Sequence, residues 1–302
     1  MIASNLVPRI PKFLRRHRLI QGLLRIPGQT PLQLVRFHNG HRAYADLRDG
    51  FMRLILIDGG YDPDFFRIAS PFLKAGGHYL DVGANYGFCS FGLAGVAEAG
   101  RIAFHMIEAN ADLIPILRIS ANLYPGEDLR IVHACATNRP GMSHLNVDRQ
   151  QTGASFVSDD GECRVKNMVI DEYLREQNID RVALMKMDIE GHEFSALQGA
   201  QAALKSGKID AIYLEVFPKW LQRSGLCPDD LIGLLESNGY RLYFCRRDDP
   251  NIQPSALLKP SFLRINEANI AVWRVSKGSI RHNTDILAVY GDRHNRSANL
   301  DI

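Results

Sequence analysis

A chain of 302 residues, 46% hydrophobic and 23% charged, carries enough apolar mass for a sizeable core, which excludes a disordered or fibrous polymer. The net charge is +3, but eight basic residues precede the first acidic one, Asp46, leaving 28 basic against 33 acidic residues beyond it; this argues against a nucleic-acid surface spread over the whole protein. Five scattered cysteines, odd in number and without C-x-x-C spacing, argue against a disulfide framework or a zinc cluster and point to a reducing, cytoplasmic setting.

Residues 1–30 read as a basic amphipathic arm, with Phe13, His17, Ile20 and Leu24 on one helical face. Acid-free and Arg-rich, it suits peripheral contact with an anionic membrane, a transit peptide, or an arm packed on its own domain or a dimer mate. No apolar run approaches the ~18 residues of a membrane span. Residues 31–77 form a prefix: Leu34 to Leu47 alternates about an Asn39-Gly40 turn, predicting a hairpin, and a helix follows from Pro63 to Leu73.

From residue 78 strands and helices alternate, which predicts an α/β domain over 78–277 with a mostly parallel sheet. Tyr79 to Val82 is the first strand, running into Gly83-Ala-Asn-Tyr-Gly87 and a helix, and Arg101 to Glu108 is the second. Next come a helix over 113–124, with Asp112 as N-cap, and a third strand, Leu129 to Cys135. The polar stretch 137–167 reads as surface hairpins and loops; a strand follows over 165–170, with Asp171 capping a short helix. Val182 to Met187 is a strand covered on both faces, ending in Asp188-Ile-Glu-Gly-His-Glu193 and a helix to Ser206. The remaining strands are 211–216, 240–245 and 269–275, with a helix over 229–237; residues 278–302 read as a loose polar tail.

Three strand ends carry acids, Asp81, Glu108 and Asp188, at the edge where parallel sheets bind ligands. Glu108 lies 27 residues beyond Asp81, near the ~20 at which a carboxylate accepts the ribose hydroxyls of an adenosine-type cofactor. Asn85 stands where a dinucleotide loop would carry its middle glycine, which weakens that case.

Asp81-Val-Gly-Ala-Asn-Tyr-Gly87, Glu108, Ile170-Asp-Glu-Tyr-Leu174 and above all Met185-Lys-Met-Asp-Ile-Glu-Gly-His-Glu-Phe-Ser-Ala-Leu-Gln-Gly-Ala200 resemble the FkbM-type methyltransferases, in order and spacing. Ala109 departs from the proline common in that family. The resemblance spans about Leu34 to Val275 and implies a Rossmann-like class I fold, a mostly parallel seven-stranded sheet with a reversed terminal strand, using S-adenosylmethionine. It further implies that Asp81, Gly83, Asn85 and Gly87 line the methionine end of the cofactor, that Glu108 holds the ribose, and that Cys135 and Ala136 contact adenine through their backbone.

On the acceptor side, the resemblance puts the strand of Asp188 beside that of Asp81. Asp188 could orient a hydroxyl or take its proton, Glu190 could hold a second hydroxyl, and His192 has the ordinary pKa of a neutral-pH base. Equally, Asp188 could cap the following helix and His192 be a surface residue. Asp188, Glu190 or Glu193 and Glu215 have the chemistry for Mg²⁺, but nothing in the spacing demands it and no metal is assigned. The expected reaction is O-methylation of a small-molecule hydroxyl, on a sugar or polyketide-like metabolite, with no nucleic-acid partner. The rivals are a nicotinamide-dependent dehydrogenase and a non-catalytic membrane-surface adapter working through the basic arm.

Overall fold

The computed structural model describes residues 31–58, 60–245, 261–265, 268–275 and 277–291. The basic arm expected over 1–30 lies outside the described residues. Strands β1 (Leu32–Arg36) and β2 (Arg42–Asp46) pair antiparallel across Asn39 and Gly40, whose φ angles of 50° and 82° satisfy the left-handed turn. Helix α1 (Gly50–Asp58) leads to α2 (Pro63–Leu73), which starts where the sequence predicts because Asp62 accepts a 3.1 Å hydrogen bond from the Phe65 N–H and Pro63 occupies a position that needs no donor.

The parallel core begins with β3 (Gly77–Val82), α3 (Phe88–Gly92), β4 (Ile102–Glu108), α4 (Ile114–Ala121) and β5 (Asp128–His133). A small second sheet then forms from β6 (Cys135–Ala136), β7 (Met142–Asn146), β8 (Phe156–Val157) and β9 (Cys163–Met168). Helix α5 (Ile170–Glu176) returns the chain to the main sheet at β10 (Leu184–Met187). There follow α6 (Glu193–Gln198), α7 (Gln201–Lys205), β11 (Ala211–Val216), α8 (Pro218–Leu221), α9 (Pro228–Ser237), β12 (Tyr240–Phe244), β13 (Ser261–Ile265), β14 (Ala268–Arg274) and β15 (Thr284–Tyr290).

The main sheet runs in the order β13-β14-β12-β15-β11-β10-β3-β4-β5. From β3 the chain moves outward through β4 to β5, then re-enters on the other side of β3 as β10; the switch point therefore lies between β3 and β10, where ligands of parallel sheets bind. Strand β15 is antiparallel to both β11 and β12, giving the reversed strand that the resemblance implies, with β14 and β13 added outside β12.

Three expectations need correction. The tail expected to be loose from 278 onward contains β15, whose Ile286, Leu287 and Ala288 are fully buried; both its edges are paired, so this segment is central rather than trailing. Asp171 does not cap its own helix: its carboxylate accepts the Ala202 and Ala203 N–H groups, both at 2.8 Å, and so caps α7 instead. The helix expected to run from 193 to 206 divides at Gly199 and Ala200, and a Cβ at Gly199 would lie 2.1 Å from the Thr137 carbonyl oxygen, so that position takes glycine.

The prefix shares the core on one face of the sheet, where Val35, Ala43, Ala45 and Phe65 pack with Phe91, Phe104 and Leu117. Polar bonds fix its position: the Tyr44 N–H donates to Ser120 Oγ at 2.9 Å, and the Tyr124 hydroxyl donates to the Arg42 carbonyl at 2.7 Å. Inside β4, His105 is fully buried yet bonded to Tyr173 Oη at 2.7 Å and His78 Nδ1 at 3.0 Å; burial pushes its pKa down to about 4, so it is a neutral core residue. Among the described residues, no helix is long and apolar enough to cross a membrane.

A chain ended after Lys277 should lose its cooperative thermal transition in circular dichroism, since β11 and β12 would then each expose an unpaired edge on a buried face. An unchanged melting curve would mean that β15 is dispensable.

Candidate functional site

In the parallel register Lys186 of β10 lies directly opposite Asp81 of β3, which puts both side chains on one face. The Lys186 ammonium donates to the Gly83 carbonyl at 2.8 Å and sits 3.6 Å from Asp81 Oδ1 and 3.3 Å from Asp188 Oδ2. Burial disfavours its charge, but Asp188 and Asp81 more than offset this and hold its pKa above the ordinary value. One cation thus ties the β3 turn to the end of β10.

That turn is built for close passage of two loops. At Gly83, with φ of 81°, a Cβ would come within 2.0 Å of the Asp188 carbonyl oxygen and 2.9 Å of the Ile189 side chain. Its donors are committed internally: the Gly83 and Ala84 N–H groups both donate to the Ile107 carbonyl, Asn85 N–H to Glu108 Oε2 at 2.7 Å, and Gly87 N–H to the Ala84 carbonyl. Asn110 N–H reaches the other oxygen, Glu108 Oε1, at 2.7 Å. Each carboxylate oxygen keeps acceptor capacity after one such bond, so Glu108 is held rigid and can still receive two hydroxyls. Burial raises its pKa, against the pull of these two N–H donors.

A cleft of about 620 Å³ opens at the switch point. One end is lined by Ile107, Glu108, Ala109, Ala134, Cys135 and Ala136; Gly83 and Asn85 lie in the middle; Asp188, Ile189, Glu190 and His192 form the other end. The outer wall comes from the second sheet through Leu145, Thr152, Phe156 and Val157. Eight of the ten sequence-predicted site residues therefore meet at one cleft. Asp81 and Gly87 are the corrections. Asp81 is fully buried behind the turn, accepting from Ser90 Oγ at 2.6 Å, and burial raises its pKa more than Lys186 and Ser90 lower it. Gly87 faces the core, where a Cβ would meet the side chains of Met106, Phe91 and Leu117 at 2.5 to 2.9 Å.

At the acidic end, Glu190 adopts a φ of 55° and Gly191 one of 96°; a Cβ on Gly191 would strike the Trp220 backbone at 2.8 Å. The buried Glu193 carboxylate accepts from the Ile189 and Gly191 N–H groups, both at 3.1 Å, which makes it the brace of this turn rather than a ligand for the cleft. Burial, then the charges of Asp188 and Glu193, push Glu190 up to about 8. Asp188 behaves oppositely: burial would raise it, but Lys186 and a hydrogen bond from Glu215 outweigh that and hold it below the usual range. Glu215, half-buried and facing the Asp188 charge, is raised well above the carboxylate range. Oxygens of Asp188, Glu190 and Glu215 lie within 4.8 Å of one another, a spacing that a divalent cation could bridge. His192 is bonded to Thr137 Oγ1 at 3.2 Å, Thr137 in turn lies 3.0 Å from Ser195 Oγ, and burial lowers the His192 pKa.

A methyltransferase FkbM domain model matches residues 81–242, more than half of the chain. The chain belongs to the FkbM methyltransferase family. An FkbM methyltransferase from Methylobacillus flagellatus KT has 17% identity and a TM-score of 0.44, covering 72% of this chain and 44% of that one. TYW2 from M. jannaschii, solved in complex with AdoMet, has 12% identity and a TM-score of 0.39, covering 87% of each chain. In sequence, the chain is 26% identical over 159 residues to the hexuronic acid methyltransferase AglP of Haloferax volcanii, matching 51% of this chain and 59% of that protein. It therefore spans less than two thirds of that curated relative. The sheet order is that of the Rossmann-like class I methyltransferases.

Sequence reading of this FkbM protein missed Asp49, Thr137, Thr152, Phe156 and Arg223. Thr152 Oγ1 lies 2.6 Å from Asp49 Oδ2 and 3.0 Å from Asn85 Oδ1, so the prefix and the β7–β8 connection both brace the turn after β3. The polar, glycine-containing texture of 137–167 was the one available signal that this stretch carries function.

Lys186→Met should destabilise the protein by about 3–5 kcal/mol, because it strands the fully buried Asp81 carboxylate and removes the counter-charge of the half-buried Asp188. The midpoint of urea unfolding reads this directly, and a shift equal to that of an exposed Lys→Met control would show that the buried pairing is not holding the two loops.

Proposed function

We propose that this methyltransferase transfers the methyl group of S-adenosylmethionine to a hydroxyl oxygen of a small acceptor, a sugar or polyketide-like metabolite. The observation that carries the reading is the rigid Glu108 carboxylate at one end of the cleft and the Asp188/Glu190 pair at the other, with Gly83 and Asn85 between them. The fit to the cofactor rests on Glu108, whose two oxygens are fixed by backbone N–H groups and retain lone pairs for the ribose hydroxyls. Ile107, Ala134, Cys135 and Ala136 supply an apolar slot for adenine beside it. When bound, the sulfonium supplies an electrophilic methyl group. The acceptor oxygen forms the new C–O bond as the C–S bond breaks, its proton passes to a carboxylate of this chain, and S-adenosylhomocysteine leaves as a neutral thioether.

Within that reading Glu190 is the proton acceptor. It lines the cleft and, raised to about 8, is basic enough to compete for a hydroxyl proton once ionised. Asp188, ionised and held by Lys186, orients the acceptor and faces the donor's positive charge. His192, neutral and bonded to Thr137, shapes the wall between them. The rival dehydrogenase reading is disfavoured by Asn85, which stands where a dinucleotide loop carries its middle glycine. The membrane-adapter reading rests on residues 1–30 alone.

Calorimetry should show S-adenosylhomocysteine binding to the wild type, with Glu108→Ala weakening it by at least about tenfold, the scale of losing hydrogen bonds to a charged group. Absence of binding to the wild type would sink the reading. With an acceptor in hand, the rate should climb with pH toward about 8 as Glu190 loses its proton, and Glu190→Gln should remove that rise along with most turnover. A profile unchanged by Glu190→Gln would hand the role to another group.

A further inference from the structure

Over the acidic end of the cleft, Arg223 is clasped by two aromatic rings. Its guanidinium carbon lies 3.9 Å from the ring centre of Phe156 and 3.5 Å from that of Trp220. Phe156 belongs to β8 and lines the cleft; Trp220 belongs to α8, which follows β11, and packs on Phe217 at 5.0 Å. The stack therefore joins the second sheet to the loop after β11 at the cleft rim.

A guanidinium packed against two rings is left to act through the N–H donors that the rings do not cover, which lie in one plane. Among the described residues no hydrogen bond or ion pair occupies those donors, and the side chain is exposed. Stacking removes much of the rotamer freedom that an exposed arginine would otherwise lose on binding, so the edge is pre-organised. Glu190 is the acidic neighbour whose charge Arg223 would feel. Among the described residues no carboxylate oxygen lies within ion-pair distance of Arg223, so the cation has no direct counter-charge.

An uncompensated planar cation beside the acceptor end is a receptor for a planar anion. We propose that Arg223 reads a carboxylate on the acceptor, so that the sugar methylated here is acidic, of the uronic type, rather than neutral. A carboxylate matches the fork edge with two parallel charge-assisted hydrogen bonds, whereas a single hydroxyl uses only one donor. The hexuronic acid named for the Haloferax relative has the same chemistry. This inference rests on the methyl-transfer reading and names the class of acceptor within it.

The test uses the full chain with saturating S-adenosylhomocysteine and a matched pair of probes, 4-nitrophenyl β-D-glucuronide and 4-nitrophenyl β-D-glucoside, which differ only in the carboxylate. Calorimetry should give at least about tenfold tighter binding of the glucuronide, in line with a charge-assisted bidentate pair. Arg223→Gln should bring the glucuronide to the level of the glucoside, and Arg223→Lys, which keeps the charge but loses the fork, should retain only part of the preference. S-adenosylhomocysteine affinity, set at the far end of the cleft, reports that each variant is folded. Equal binding of the two probes, absence of glucuronide binding, or a preference that survives Arg223→Gln in a folded variant overturns the assignment. Failure of the wild type to bind S-adenosylhomocysteine strikes the methyl-transfer reading instead, so the two failures are distinguishable.

Discussion

The site depends on one buried ammonium. Lys186 is buried, and its partners are the Gly83 carbonyl, Asp81 and Asp188. A charge in that position is tolerable only with its anions present, and those anions are tolerable only with the lysine. The ends of β3 and β10 are therefore fixed against each other, and Gly83 must lack a Cβ because the Asp188 carbonyl passes where it would stand. An alanine would incur the cost of a left-handed φ, on the order of 1 kcal/mol. The larger cost is a 2.0 Å contact with backbone, which no side-chain rotation can relieve.

The same cation sorts the carboxylates. Asp188 touches Lys186 and stays ionised; Glu215 faces Asp188 and is raised well above the carboxylate range; Glu190, whose pKa burial and like charge push up to about 8, is only partly relieved by the charges of Arg223 and Lys186. Three acids within a few ångströms thus take three different pKa shifts from their neighbours. In the proposed reaction that division is useful: a fixed anion faces the sulfonium, and a second carboxylate with a raised pKa remains to accept a proton near neutral pH.

Much of this was legible in the chain because strand ends and turns obey local rules. The Asp81 to Gly87 turn, Glu108 and the Asp188 to Glu193 segment each follow an apolar run, so their convergence at a sheet edge follows from topology. Roles within the turn were less legible. Asp81 and Gly87 sit at motif positions but face Ser90, Lys186 and the core, since a motif preserves backbone geometry as well as ligand contacts. β15 was hidden by its polar flanks, although Ile286 to Val289 is apolar; its place follows from two partners distant in sequence, a fact that local pattern does not carry. Asp171 shows the same limit, capping a helix some thirty residues away rather than its own.

The parts least readable from sequence are those facing the acceptor, and the reason is physical. The proposed cofactor contacts come from strand ends, whose positions a sheet dictates, whereas Thr152, Phe156 and Arg223 come from three-residue turns and two-residue strands placed by one another. The Phe156–Arg223–Trp220 stack is such an arrangement: no one segment encodes it, yet it sets the charge at the rim. A rim cation above a fixed anion and a largely neutral acid gives the acceptor end a polarity gradient. An acceptor carrying its own negative charge would lie with that charge at the rim and its neutral hydroxyl inward, toward Asp188 and Glu190. Orientation would then come from electrostatics before any close contact forms, which allows a cleft lined largely by small and apolar side chains to choose one hydroxyl among several.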